Sequence, residues 1–204
     1  MGRVHGMASR VEESVALLFA LVSEALAQAT WALLNADPAL ASTVISGDRA
    51  IDERTARLEG LVWSEIDASS SDPQAVRRLV PVLLILPELE RSADLAEHIA
   101  QRALANVGNE MTPTSRGIVQ RMSEVALELW EATTVAYSTG SSDDLELDEV
   151  DEELDILRDR LTAEVAAGGM QPGIAAQVTL LARFYERIGD HAVNLSRRVV
   201  TLGR

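Results

Sequence analysis

Apolar residues recur every three or four positions along almost the whole chain, and the interruptions fall at helix-breaking residues. Val11, Val15, Leu18, Val22, Leu26, Ala29 and Leu33 form one such stripe, the spacing that lines one face of an α-helix. Ser9-Arg10-Val11-Glu12 ahead of it reads as a capping box, with a hydroxyl for an early amide and a glutamate that reaches back. Asp37-Pro38 combines an N-cap carboxylate with a proline at the first helical position, where no amide hydrogen is needed. It opens a second helix that runs to about Ala68 and ends in the serines at 69–71. Asp72-Pro73 opens a third, and Thr112-Pro113 a fourth after the break at Asn106-Val107-Gly108. Gly140-Ser141-Ser142 precedes a fifth, and Gly168-Gly169 with Gln171-Pro172 introduces a sixth. Pro81 and Pro87 lie inside the third segment and predict a kink there or a restart near Pro87, since each removes a backbone donor. No strand-like alternation of any length occurs. The pattern predicts an all-α fold of six long helices, three on each side of the break.

The two halves repeat. Leu89-Glu90-Arg91-Ser92-Ala93-Asp94-Leu95-Ala96 returns as Tyr185-Glu186-Arg187-Ile188-Gly189-Asp190-His191-Ala192, at an offset of 96. Upstream, Asp48, Asp52, Arg57 and Leu58 match Asp151, Asp155, Arg160 and Leu161 at an offset of 103. The change of offset places a shorter connection in the second unit, and the brief turn at Gly168 to Pro172 is the expected place for it. The duplication predicts two tandem pseudo-symmetric three-helix bundles, at 8–107 and 112–203.

Residues four apart share one helix face. Like charges there disfavour the helix by a few tenths of a kcal/mol, so a matched acidic spacing in both halves asks for a counter-charge. Hard cations such as Mg²⁺, Mn²⁺, Ca²⁺ or iron take carboxylate oxygens and would supply one. With 32 acids in 204 residues, single pairs at this spacing arise by chance on solvated faces. Their recurrence at matched positions, with shared arginines and apolar neighbours, is what exceeds chance. If the second and third helices of each bundle are antiparallel neighbours, their pairs face each other and offer four carboxylates.

The net charge is −14 and every basic residue is arginine. Such a surface repels phosphate backbones, which argues against nucleic acid as a partner and against capture of free phosphate without a bound cation. The absence of cysteine excludes disulfides, thiolate chemistry and sulfur-ligated zinc. Apolar runs such as Val80 to Pro87 fall short of the roughly 20 residues of a membrane span. No secretory signal core is evident at the N-terminus, and a cytoplasmic location without membrane insertion is expected. His98 lies one turn beyond Asp94 and is a candidate auxiliary ligand; His191 points away from the acids toward a surface or packing role, and His5 has none. Trp31, Trp63 and Trp130 are expected as core or interface anchors, and Arg91 and Arg187 as partners of neighbouring carboxylates. There is no phosphate-binding loop, nucleophile elbow, His-Glu-x-x-His or Glu-x-x-His motif.

The doubled segments resemble the signature of the PhoU family. Tyr-Glu-Arg-Ile-Gly-Asp-His-Ala-Val-Asn at 185–194 carries it, with Leu-Glu-Arg-Ser-Ala-Asp-Leu-Ala-Glu-His-Ile-Ala at 89–100 and the upstream Asp-x-x-Ile-Asp and Asp-x-x-Leu-Asp segments. The resemblance spans about Ser9 to Leu202. It implies a cytoplasmic homodimer that regulates and does not catalyse. Such a protein couples the ATPase of a phosphate transporter to the phosphate sensor histidine kinase, restraining uptake and starvation signalling when phosphate is replete. It also implies metal sites at the acidic motifs, for iron, manganese, magnesium or zinc. Carried onto this chain, the ligands are Asp48, Asp52, Glu90 and Asp94 in the first bundle, and Asp151, Asp155, Glu186 and Asp190 in the second. Departures gather in the first half. Ala75-Val76-Arg77 stands for the family's Asp-Leu-Arg, His98 for an asparagine that Asn194 keeps, Ala93 for the glycine kept at Gly189, and Pro87 is unexpected. They mark the first bundle as the divergent half with the weaker metal site, and leave room for a specialised paralogue. Two other readings fit the residues: a hydrolase that holds a catalytic ion on the carboxylates, and a metal-free helical scaffold.

Overall fold

The computed structural model describes residues 2–142 and 144–202, with side chains over 10–142 and 147–200. No strand occurs among them. α1 spans Gly2–Asn35, α2 Pro38–Ala68, α3 Pro73–Leu104, α4 Val107–Glu110, α5 Pro113–Thr139, α6 Asp144–Ala166 and α7 Pro172–Leu202. The single turn α4 occupies the expected break, so seven helices stand where the pattern predicts six.

The starts form as their chemistry dictates. Asp37 accepts from the Leu40 amide at 3.0 Å, and Asp72 from the Gln74 amide at 3.0 Å, each with a proline following. Thr112 Oγ1 accepts from the Ser115 amide at 3.1 Å. These caps satisfy amides that have no partner inside the helix. α5 ends on Gly140 in the left-handed conformation, φ 68°, which glycine adopts at no steric cost. α1 begins at Gly2, well upstream of the capping box, and the side chains of Ser9 and His5 lie outside the described residues.

α3 does not restart near Pro87: it is one continuous helix through Pro81 and Pro87. It packs along α1, α2 and α7, and Val82, Ile85, Leu86 and Leu89 between and beside the prolines are buried. Burying a side chain of that size is worth about 1.5–3 kcal/mol, so the packed stripe outweighs the donors the two prolines remove. The seven-residue difference between the repeats also lies elsewhere than predicted. The connections 69–72 and 167–171 are of similar length. The first unit instead has longer helices, from Asp52 to Ala68 against Asp155 to Ala166, and from Pro73 to Glu90 against Pro172 to Glu186.

α1, α2 and α3 form one lobe, and α5, α6 and α7 the other. α1 packs on α5 and α3 on α7 across the seam, so these four helices share one apolar core, while α2 leans on α1 and α3, and α6 on α5 and α7. The stretch Arg10–Asn35 of α1 is long and apolar enough to cross a membrane by length and composition. Looking only for uninterrupted apolar runs misses it, because scattered polar residues such as Ser23, Glu24, Gln28 and Thr30 interrupt the run. Here its stripe from Val11 to Leu33 lies in the core. Trp130 is fully buried as expected, whereas Trp31 and Trp63 are 59% and 52% exposed.

Polar ties cross the seam. Thr30 Oγ1 on α1 bonds Tyr185 Oη on α7 at 2.7 Å and accepts from Ser123 Oγ on α5 at 2.9 Å, all three buried. Within the second lobe, Thr133 on α5 donates to the Ala192 carbonyl on α7 at 2.9 Å. At the break between lobes, Arg116 donates to the carbonyls of Gly108 and Leu34. Gly108 is required there: a Cβ would lie 1.8 Å from the Leu33 carbonyl oxygen, a backbone atom that cannot step aside. We expect Gly108→Ala to lower unfolding free energy by about 3 kcal/mol or more, the upper end for overpacking. Gly117→Ala, with nothing within 4 Å of the added methyl, should be neutral or gain up to about 1 kcal/mol. Chemical denaturation of both variants checks the contrast.

Candidate metal centre

α2 and α3 lie side by side and turn the predicted acids of the first lobe toward one another. Asp48, Asp52 and Asp94 each offer an oxygen within 4.8 Å of the others. Two oxygens on one ion at 2.0–2.6 Å each can be no more than about 5 Å apart, so the three fit around a single hard cation. Glu90, one turn before Asp94, stands close enough to Asp48 to act on its charge. Asp48 Oδ1 and Asp52 Oδ1 are sealed from solvent and have no hydrogen-bond partner. Among the described residues no arginine forms an ion pair with any of the four; of those nearby in sequence, Arg49 and Arg57 pair with Glu53, and Arg91 with Glu88. Buried, unpartnered carboxylate oxygens are costly unless a proton or cation meets them. The residues present therefore fit a metal ion.

The charge accumulation is visible in protonation. Burial, then Asp52, Asp94, Glu97 and Glu90, push the Asp48 carboxyl up from 3.8 to about 7. Glu90 is raised by burial and by Asp52 and Asp94. Glu97, one turn beyond Asp94, is a member of this field that sequence reading overlooked, although its three-residue spacing from Asp94 places it on the same face.

The second lobe assembles its acids differently. Asp151 is raised by burial and by Asp190 and Asp155, and Asp190 by burial, Glu186 and Asp155. The four thus stand together, but arginines stand among them. Arg158 on α6 reaches Asp155 at 2.8 Å and Glu186 on α7 at 2.7 Å. Arg183 bonds Glu186 at 2.9 Å. Arg197 pairs with Asp148 and lowers the Asp151 carboxyl. Among the described residues no trio in this lobe brings its oxygens as close as Asp48, Asp52 and Asp94 do. The open cluster thus lies in the divergent first lobe, while acids of the second lobe are ion-paired. Arg158 follows Asp155 by three residues, an ion-pairing spacing legible in the sequence but overshadowed by the acidic motif.

His98 does not join the acids. Its ring lies 5.4 Å from Phe184 on α7, whose face Arg102 also covers at 4.8 Å, so it packs across the lobe seam. His191 is buried, and its Nδ1 shares a 2.9 Å hydrogen bond with Ser92 Oγ; burial lowers its pKa. Its Nε2 faces Glu88 at 3.7 Å. This Ser-His-Glu array is no nucleophile site. Ser92 is 1% exposed and donates to the Glu88 carbonyl of its own helix at 2.7 Å. Arg91 pairs as expected; Arg187 is exposed and forms no ion pair among the described residues.

Comparison with known proteins places this architecture. The family model for the PhoU domain matches residues 15–103 and again 119–199. The chain is 31% identical over 200 residues to the "Phosphate-specific transport system accessory protein PhoU homolog 1" of Mycobacterium leprae, covering 96% of this chain and 90% of that one. It is 32% identical to PhoU homolog 2 of Mycobacterium tuberculosis, covering 96% and 94%. Among solved structures, PhoU from Pseudomonas aeruginosa superposes with a TM-score of 0.89 at 21% identity, over 98% of both chains. The phosphate transport system regulatory protein PhoU from Streptococcus pneumoniae gives 0.84 at 21% identity, over 98% and 96%. At that identity the two structures speak to the fold.

Asp48 carries a pH prediction. An acid whose folded pKa is raised holds its proton longer in the native state, so stability falls as pH rises between the unfolded and folded values. For Asp48 that window runs from 3.8 to about 7. Metal-free Asp48→Asn should therefore melt above wild type at pH 8, with the gap closing toward pH 4. Differential scanning calorimetry in chelator across that range measures it.

Proposed function

Since this chain belongs to the PhoU family, we propose that it is a regulatory accessory protein of phosphate-specific transport whose first-lobe carboxylates hold a metal ion. Two family domains, matched over most of the chain by the family model and by accessory-protein relatives, carry the reading. It couples the ATPase of a phosphate transporter to the phosphate sensor kinase, and restrains both uptake and starvation signalling when phosphate is abundant. Its place is the cytoplasm and its working form a homodimer.

The role asks for binding surfaces, not turnover. Two long pseudo-symmetric lobes joined by an apolar seam and hydrogen-bonded ties make a rigid body suited to bridging two partners. The one serine–histidine–carboxylate array noted above is shut inside that seam, which supports an adaptor over an enzyme.

Asp48, Asp52 and Asp94 would hold the ion, with Glu90 at the rim. Bound there, a hard cation supplies positive charge and open coordination positions on a protein of net charge −14. The carboxylates themselves join α2 to α3 around it, so loading the site stiffens the outer helix against the core. Asp48 and Asp52 sit four apart on α2 and Asp94 on α3, and removing either helix's contribution leaves fewer oxygens than a hard ion requires.

Deletion of the gene should switch on phosphate-starvation transcription and raise phosphate uptake in replete medium, and the purified protein should retain the transporter ATPase or the sensor kinase in a pull-down. Unchanged transcription and uptake on deletion would sink the regulatory reading. Asp94→Asn should lose metal, measured by elemental analysis after purification without chelator, while its circular dichroism stays helical.

A further inference from the structure

The two lobes carry the same acids but not the same cations, and the difference falls on the positions that matter. Arg158 matches Thr55 at the offset of 103, and Arg183 and Arg197 match Pro87 and Gln101 at the offset of 96. Each arginine that neutralises the second cluster is thus replaced in the first by an uncharged residue. Arg158 is the decisive one, because its Nη1 alone joins acids from both helices, Asp155 on α6 and Glu186 on α7. A guanidinium therefore already occupies the space between the paired helices where the first lobe has none. At the matched point, Thr55 is 3% exposed and its hydroxyl has no hydrogen-bond partner. It follows Asp52 by three residues and Asp48 by seven, so it lies on the stripe of α2 that carries the acids.

We propose that this chain takes one metal ion and not two: the cluster of Asp48, Asp52 and Asp94 binds it, and Arg158 is a built-in cation that closes the second site. The inference rests on the metal reading of the first lobe. It assigns the duplicated halves different work. The first lobe is the part whose rigidity answers to metal, and the second holds α6 on α7 whatever the metal supply. An arginine in that position is always charged, so Asp155 and Glu186 stay paired where the first cluster depends on an external ion.

The test is to count bound Mn²⁺ per chain at pH 8, by the loss of the free-ion electron paramagnetic resonance signal, with thermal melts run in parallel. Wild type should bind one equivalent and melt higher with Mn²⁺. Arg158→Thr should bind two, and adding Asp190→Asn to it should return the count to one. Thr55→Arg should bind none; if that variant does not fold, as judged by circular dichroism, the Arg158→Thr count decides alone. Two equivalents in wild type, or an Arg158→Thr count that stays at one, would overturn the role of Arg158 while leaving the first-lobe site standing. No binding in either wild type or Arg158→Thr would instead overturn the metal reading itself.

Discussion

Everything in this molecule follows from the burial of one shared apolar seam among α1, α3, α5 and α7. Four helices of about 30 residues, each with an aliphatic stripe, have more apolar surface than a three-helix lobe can cover by itself. Joining the lobes through α1 on α5 and α3 on α7 covers it. Several of its polar groups find partners within it: Thr30, Ser123 and Tyr185 as one hydroxyl chain, and Ser92 with His191 as another, whereas Trp130 Nε1 and Ser196 Oγ have none. Such ties add little net energy each, but left unpaired they would be costly. They therefore favour one registration of the lobes over its neighbours.

Because the seam takes the inner four helices, α2 and α6 are left outside with a single apolar edge apiece. The acids sit at the margin where each outer helix meets its inner neighbour, Asp48 and Asp52 on α2 against Glu90 and Asp94 on α3, and Asp151 and Asp155 on α6 against Glu186 and Asp190 on α7. The margin is half-buried. A carboxylate there loses part of its hydration without gaining a partner, which is why Asp48, Glu90, Asp151 and Asp190 all have raised pKa values. The strain between like charges is the feature that makes the margin responsive. A proton, an ion or an arginine relieves it, and in the second lobe Arg158 does so for Asp155 and Glu186.

Gene duplication kept the backbone plan and let the electrostatics drift. In the first lobe α2 is longer after its acids and α3 longer before them, and Pro87 and Gln101 stand where the second lobe has arginines. Ala93 stands for Gly189, at which a Cβ would meet the Leu154 side chain at 2.4 Å. In the second lobe the Leu154 side chain thus closes over Gly189, and Arg158 joins α6 to α7 through Asp155 and Glu186.

Periodicity, caps and the repeat were enough to read this architecture as paired helical bundles: helix starts at Pro38, Pro73, Pro113 and Pro172 are local chemistry, set by residues within one turn. The eight acids were also legible, since spacing along a helix decides which side chains share a face. Packing from other helices decided the rest. Pro81 and Pro87 read locally as a break, yet contacts from α1, α2 and α7 carry α3 through them. His98 shares a face with Asp94 along its own helix, but Phe184 from the opposite lobe claims its ring. Most of all, a four-residue acidic spacing is silent about what stands across from it. Whether that is an open groove or the head of Arg158 depends on side chains brought together from two helices, a relation that exists only once the chain has folded.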